Sequence, residues 1–426
     1  MKEKLSGLLK NRKNILLYIG VVVIAALILF LGNHFATGGR HVFGSSGDTE
    51  VYPARIEILL ATKERPYTVD GLQFADAEIF FEAVFTGGPR KGERIMARQV
   101  MEATRAVSIK AVEEGNRVML VLVPYQDEGP VWIMQEYDRT LPLLILVGAF
   151  FLLLFLFGGK KGFGTILSLV FTCLCIFYLF VPSILAGRDI YAATLLCCLF
   201  IIVVTLCLVN GFNSKSLSAG LGCVGGLAVS GILFFVMDRF LQLTGLIDED
   251  SAFLTMIEIP IDLKAIIFSS ILIGVLGGVL DVGVSIASSL SEINREKGED
   301  SLSFGDLMRS GMNIGRDILC TMTNTLILVY IGSALSVTLL LVVYSNSFLE
   351  LINRESIVIE VLQALLGSIG LLFTIPLTTL FYALSVTRKK KDKGPGKQKK
   401  TAPPTLEEAM AAGSAPSKKK RRRSAQ

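Results

Sequence analysis

The residues best placed to do chemistry lie in two apolar stretches. The first reads Gly274-Val-Leu-Gly-Gly-Val-Leu-Asp281-Val-Gly-Val-Ser285-Ile-Ala-Ser288-Ser289-Leu-Ser-Glu292. At helical spacing, Gly274, Gly278, Asp281, Ser285, Ser288 and Glu292 share one stripe. The glycines let a second helix come close, and the positions beyond them make a polar track. A carboxyl group in such surroundings can exchange a proton or hold a small cation, because its charged form needs a partner or water in hydrocarbon. The second stretch, Gly311-Met-Asn313-Ile-Gly-Arg316-Asp317-Ile-Leu-Cys-Thr321-Met-Thr-Asn324-Thr325, adds Arg316 and Asp317 at a helix mouth and Asn324 about two turns deeper. Asp281 and Asn324 are expected to face each other or a wet cavity, with Arg316 within reach of Asp281. Asn210, Asn213 and Lys215 form a second polar mouth ahead of Gly220, Gly222, Gly225 and Gly226. A competing reading keeps these groups structural: Arg316 marks a boundary, Asp317 sits in a helix's first turn, and Asn324 joins two helices.

Other chemistries find no support. There is no Walker loop, serine elbow, metalloprotease signature or pair of residues at metal-ligand spacing. No catalytic residue, cofactor or metal is therefore assigned, and no enzyme is expected. The 7 cysteines (Cys173, Cys175, Cys197, Cys198, Cys207, Cys223 and Cys320) all fall inside apolar segments without a C-x-x-C pair, so they read as core thiols. His34 and His41 stand in a Gly-rich stretch without neighbouring ligands.

The elements that must position these residues follow from composition. With 52% hydrophobic and 19% charged residues and a mean hydropathy of +0.58, the chain holds more apolar side chain than a soluble core of this length can use. Eight apolar runs stand out: Ile15–Leu31, Leu141–Phe157, Phe163–Pro182, Ile190–Val209, Leu217–Phe240, Leu263–Asp281, Ile318–Tyr344 and Val361–Val386. Each approaches the roughly 20 residues that cross about 30 Å of hydrocarbon. The first, preceded by Lys2, Lys4, Lys10, Arg12 and Lys13, reads as an uncleaved anchor. Lys and Arg then concentrate on alternate loops, which places both termini in the cytoplasm. On this count Asp281 lies in the cytoplasmic part of the membrane. The net charge of +5 divides unevenly: from Arg388 onward there are 14 Lys and Arg against 3 Asp and Glu. That basic tail, unstructured on its composition, suits anionic lipid head groups beside the last helix, and nucleic acid is not expected as a partner.

Residues 42–139 differ in pattern. Short β-rich runs at Ala54–Ala61, Ala77–Phe85, Glu93–Gln99, Arg117–Val123 and Val131–Glu136 alternate with Gly-rich turns. Five such strands suit a small barrel of the OB or barrel-sandwich type. Arg90, Lys91, Arg94 and Arg98 read as water-facing charges, and Trp132 and Tyr137 as aromatics at the membrane interface. The expected fold is a polytopic α-helical membrane protein of about eight transmembrane helices, with a β-rich extracytoplasmic domain between helices 1 and 2. Its parts are 1–41 (cytoplasmic N-terminus, anchor and linker), 42–139 (extracytoplasmic domain), 140–387 (seven-helix membrane domain) and 388–426 (basic tail).

The Gly-rich helix ending in Leu280-Asp281-Val282 and Ser285-Ile286-Ala287-Ser288-Ser289 resembles the YibE/F family of bacterial multi-pass membrane proteins. So does Ser310-Gly311-Met312-Asn313-Ile314-Gly315-Arg316-Asp317 followed by Thr321-Met322-Thr323-Asn324-Thr325. The resemblance covers nearly the whole body from the anchor to the last span, and it implies architecture and a bacterial plasma membrane but no substrate. A weaker likeness, to proton-driven permeases of the SecD/SecF and RND kind, rests on an acidic helix followed by an Arg and a Thr/Asn-rich start of the next. The leading expectation is a gradient-driven secondary transporter or export-assisting permease, with Asp281 as proton or ion site, Arg316 as its electrostatic regulator and Asn324 as a coordinating group. The alternative is a non-transporting scaffold or envelope sensor whose exported domain binds a ligand or partner. Homo-oligomerisation or a membrane partner is compatible with both.

Overall fold

Among the described residues of the computed structural model, eight helices are long and apolar enough to cross a membrane, and a five-stranded barrel follows the first of them. The structure describes residues 2–37, 51–69, 72–101, 110–124, 129–247, 249–256, 260–297, 302–345 and 347–392. The linker 38–50 and the tail beyond Asp392 lie outside these residues. Helix α1 (Lys2–Thr37) leads into the barrel. A helical run from Thr140 breaks at Gly159, where φ is 53° and ψ −131°, and so divides into α2 (Thr140–Gly159) and α3 (Lys161–Leu185). Then come α4 (Ile190–Asn210), α5 (Ser214–Leu241), a short α6 (Glu249–Leu254), α7 (Leu263–Glu296), α8 (Phe304–Ser333), the short α9 (Leu335–Tyr344) and α10 (Phe348–Asn353), and α11 (Glu355–Asp392).

Two spans depart from the hydropathy reading. Helix α7 runs 34 residues, well past Asp281, because Asp262 caps its start and nothing breaks the helix before Lys297. The seventh span starts at Phe304, and α9 is separated from it by a break at Ala334. A capping box sets that start: the Ser303 side chain accepts from the Asp306 N–H and the Asp306 side chain accepts from the Ser303 N–H. Hydropathy does not register such a hydrogen-bond signal.

Polar contacts at the loops fix which helix ends lie together. Arg188, between α3 and α4, donates to the Phe35 carbonyl at the end of α1 (2.9 Å). Arg188 and Asp189 share a recess with Ile261 and Asp262, just before α7. Lys264 pairs with Asp238 near the end of α5 (3.2 Å), and Glu355 accepts from the backbone of Thr244 and Gly245 (2.7 Å each). These ends form the barrel side of the bundle.

Small residues set the helix spacing. On α5, Gly222, Gly226 and Ser230 recur every four residues against Gly370, Thr374 and Thr378 of α11. A Cβ at Gly226 would meet the Thr374 hydroxyl and lie 2.7 Å from the Gly370 carbonyl oxygen, while the Ser230 hydroxyl donates to the Leu366 carbonyl (3.0 Å). The backbones therefore approach as closely as small-xxx-small packing permits. Thr194 of α4 and Ser269 of α7 bond through their hydroxyls at 2.6 Å in the same interior. Helix α7 is central: 61% of its apolar window is buried, against 6% for α8 and none for α2.

The barrel strands are β1 (Val51–Val69), β2 (Leu72–Phe85), β3 (Arg94–Met101), β4 (Arg117–Pro124) and β5 (Pro130–Tyr137). They close in the order β1-β2-β3-β5-β4, with β3 and β5 parallel. β1 and β2 pair from Ala54/Phe85 as far as Val69/Leu72, beyond the residues of β1 that meet β4, so their hairpin projects from the barrel. Inside sit Ile56, Phe81, Phe85, Val118, Leu120 and Trp132. Trp132 is thus core, not an interfacial anchor: it packs on Phe85 (centroids 5.0 Å apart) and carries Arg90 over its face. Tyr137 also turns inward, donating to the Lys110 carbonyl (2.9 Å). Arg98 likewise departs from its expected place in water. It and Glu78 are both 3% exposed and pair at 3.5 Å on the strand face opposite the core residues Ile79, Phe81 and Ala97, with Arg98 lying over the Phe80 ring.

Candidate functional site

Asp281 stands near the middle of α7. Gly278, one turn nearer the barrel side, lies against Leu371 of α11, and Gly315 of α8 lies against Ile375 of α11. Asp281 and Arg316 therefore share a depth in the bundle. Helix α8 packs chiefly on α11, α7 packs on both α11 and α5, and α7 and α8 touch each other less, which leaves a groove between them with α11 as its floor. Gly367 of α11 meets both walls, Val275 of α7 and Leu326 of α8, at that junction.

The α7 wall carries Gly274, Gly277, Asp281 and Ser285, all exposed, with Ser288 half-buried beyond them. The α8 wall is set by a seven-residue interval: Arg316, Thr323 and Tyr330 fall on one flank. The Tyr330 hydroxyl shows which neighbour that flank meets, since it lies 2.8 Å from where a Cβ on Gly274 would stand. Thr323 enters the sequence reading only as part of a motif, and Tyr330 does not enter it at all. Their heptad spacing from Arg316 is the signal, and it becomes readable once one contact fixes the flank.

Among the described residues Asp281 and Arg316 form no ion pair with each other and no hydrogen bond elsewhere. The expected pairing at close range is thus absent, and the two charges face a shared space. Asn324 is not brought to Asp281. Eight residues beyond Arg316, it is turned about 80° further round the helix, onto the outward face with Asp317, and both are exposed. The second polar mouth also stays apart. Asn213 caps α5 by accepting from the Ser216 N–H (3.0 Å), and its amide donates to the Asn210 carbonyl (2.9 Å). Helix α5 meets α7 through Val279 and Gly283, on the flank away from Asp281, so Asn210, Asn213 and Lys215 do not reach the groove.

The two poorly buried spans differ in what they show. Helix α2 has a hydropathy of 2.8 and no buried residue in its window, so lipid solvates it without cost. Helix α8 has a hydropathy of 1.3 and presents Asn313, Arg316, Asp317, Thr321 and Asn324 on exposed positions. Lipid cannot satisfy those groups, so water or another helix must.

Eight membrane-length helices around a polar groove, with one folded barrel outside, define a multi-pass membrane protein with an extracytoplasmic domain. Residues 146–388 match the family described as YibE/F-like protein, and the chain belongs to that family. The match spans the bundle from α2 to α11 and leaves the anchor and the barrel outside it. No curated protein and no solved structure matches the chain.

Proposed function

We propose that this YibE/F protein is a gradient-driven secondary transporter or export-assisting permease of the bacterial plasma membrane, with both termini cytoplasmic. Asp281 is its proton or small-cation site. The observation that carries this reading is a carboxyl group midway along a 34-residue apolar helix, without a hydrogen bond or ion pair of its own, facing a groove that Arg316 also borders. An ionisable group held in this way is functional by default in a membrane, since evolution has cheaper ways to fill a helix. Arg316, at the same depth, biases the carboxyl towards its charged form when the two approach and releases it when they part. No covalent catalysis is required. The test is flux in liposomes containing the purified chain: Asp281→Asn is expected to abolish gradient-driven proton or solute movement, and wild-type flux in that variant would sink the assignment.

A second reading, a scaffold without transport, draws support from the outward polar face of α8. There a helix of another copy or another membrane protein would satisfy Asp317, Thr321 and Asn324. It predicts that Asp281→Asn leaves partner recovery intact, whereas deleting residues 42–139 abolishes it. In both readings the basic tail lies against anionic lipid.

A further inference from the structure

The groove continues towards the barrel side past Gly274, and there it meets a carboxyl group that the proposed mechanism has not used. Glu360 of α11 lies seven residues before Gly367, the residue that touches both walls, so it looks into the same junction. Gln363, between them, donates to the Ser270 hydroxyl of α7 (3.0 Å), which ties this part of α11 to the start of the α7 stripe. Tyr330 of α8 closes the third side, near enough for the charge of Glu360 to act on its hydroxyl. Three helices thus converge on one small polar chamber.

Among the described residues, two polar atoms there are sealed from solvent without a hydrogen-bond partner, Glu360 Oε2 and the Tyr330 hydroxyl, and a third, the Thr323 hydroxyl, lies one heptad further along α8 towards Arg316. Native interiors seldom leave such atoms alone, and a row of them points to something that comes and goes. An unpartnered carboxylate there costs several kcal/mol, and binding a proton removes most of that cost. The charged groups on the surrounding helix ends are committed elsewhere. Lys264 of α7 pairs with Asp238 of α5, Arg354 with Glu350 (2.9 Å), and Glu355 is held by Thr244 and Gly245; Arg239 of α5 is exposed at the rim. Tyr330 is the titratable side chain within electrostatic reach of Glu360.

We infer that Glu360 is a second proton-binding site, the barrel-side station of the groove whose other station is Asp281, with Tyr330 and Thr323 lining the path between them. The inference rests on the transport reading of that groove. Ser270, level with the chamber, stands 11 residues from Asp281 along α7, about 16 Å at the helical rise, with Gly274 and Gly277 on the stripe between. A proton cannot cross that distance in one step, so water must bridge the stretch along the glycine-lined α7 wall. In this scheme a proton adds to the Glu360 carboxylate from the barrel side, leaves as the carboxylate re-forms, and adds to Asp281, with no other bond made or broken.

The test is an infrared titration of carboxyl bands in the purified full-length protein in lipid, with flux measured in parallel. Glu360→Gln is expected to remove one titrating carboxyl band and Asp281→Asn a different one. Tyr330→Phe should keep the Glu360 band but shift its frequency and midpoint, leaving the Asp281 band in place. Glu360→Asp guards against misfolding, since it should restore a titrating band. If Glu360→Gln and wild type give the same spectra, or if Tyr330→Phe moves both bands equally, the inference fails. A band lost on adding sodium would mean a metal cation and would overturn the proton assignment. Wild-type flux in Asp281→Asn alongside loss of the Glu360 band would remove the transport reading and leave the proton site standing. Loss of flux in Asp281→Asn with no band assignable to Glu360 would do the reverse.

Discussion

The contact between α5 and α11 offers a sharp test of how the groove is held. Adding a methyl group at Gly226 forces two changes, because the new carbon would overlap the Thr374 hydroxyl and lie 2.7 Å from the Gly370 carbonyl oxygen. The Thr374 hydroxyl donates to that same carbonyl at 2.8 Å, so turning it away breaks the bond. Overpacking costs about 1–3 kcal/mol, and the broken hydrogen bond about 1 kcal/mol more. At about 2–4 °C per kcal/mol for a unit of this size, Gly226→Ala should lower the melting temperature by on the order of 5–15 °C. The comparison is Gly277→Ala, on the groove stripe, where a Cβ would meet nothing within 4 Å. It should melt within about 2 °C of wild type, or slightly above it, since alanine favours helix. Thermal unfolding in detergent, read by circular dichroism, checks both. Equal losses in the two variants, or none in either, would refute the claim that close packing at one glycine and open space at the other have been distinguished.

Further outcomes follow from other parts of the chain. Gly277→Leu should stop flux without loss of stability, because the side chain would project from the α7 wall into the groove; normal flux in a folded variant would count against a path there. Arg98→Met leaves Glu78 buried without that partner and should cost about 3–5 kcal/mol, whereas Glu78→Leu combined with Arg98→Met should recover most of it. The single tryptophan, Trp132, lies in the core of the same barrel and reports the transition by fluorescence. Asp138, at the junction of β5 and α2, has its carboxyl held below the usual carboxylate range by hydrogen bonds with Thr140, first through the side chain and then the backbone. Because the folded value is lowered, its contribution is complete above the unfolded value of 3.8 and fades as pH falls through the folded one, which a carbon-detected carboxyl titration would show as a midpoint under 3.8. Cys320 is exposed on α8 close to the Arg316 side of the polar face. In a variant lacking the other thiols, a membrane-impermeant maleimide should label it if that face is wet, and lipid or a covering helix should protect it.

How much of this could be read from the chain depends on the kind of signal. The eight spans were legible because long apolar runs leave few alternatives, and the five strands because alternation between Gly-rich turns is a local pattern. The extension of β1 and β2 was not, since Lys63-Glu64-Arg65 carries no apolar alternation and its pairing depends on the partner strand. The start of α8 was hidden in a four-residue cap. Asp281 and its serines could be placed on a stripe, but the sequence alone does not say which flank of α8 meets that stripe. Asn324 was therefore assigned to the site, while Tyr330 and Thr323, on the flank that faces α7, passed as ordinary residues. Trp132 departs for a related reason: its type suggests the membrane interface, and strand register turns the ring into the barrel core.

The break at Gly159 gives the barrel an unusual mechanical situation. The domain hangs from two stalks, α1 and α2, and the second has no buried residue in its apolar stretch before the chain turns sharply into α3. A load on the barrel would therefore reach the bundle through two narrow routes: the tip of α1, where Arg188 grips Phe35, and the corner at Gly159 on the opposite face of the bilayer. Torque applied outside would be converted into a tug on α3 and α4, leaving α7 and α8 to feel it last.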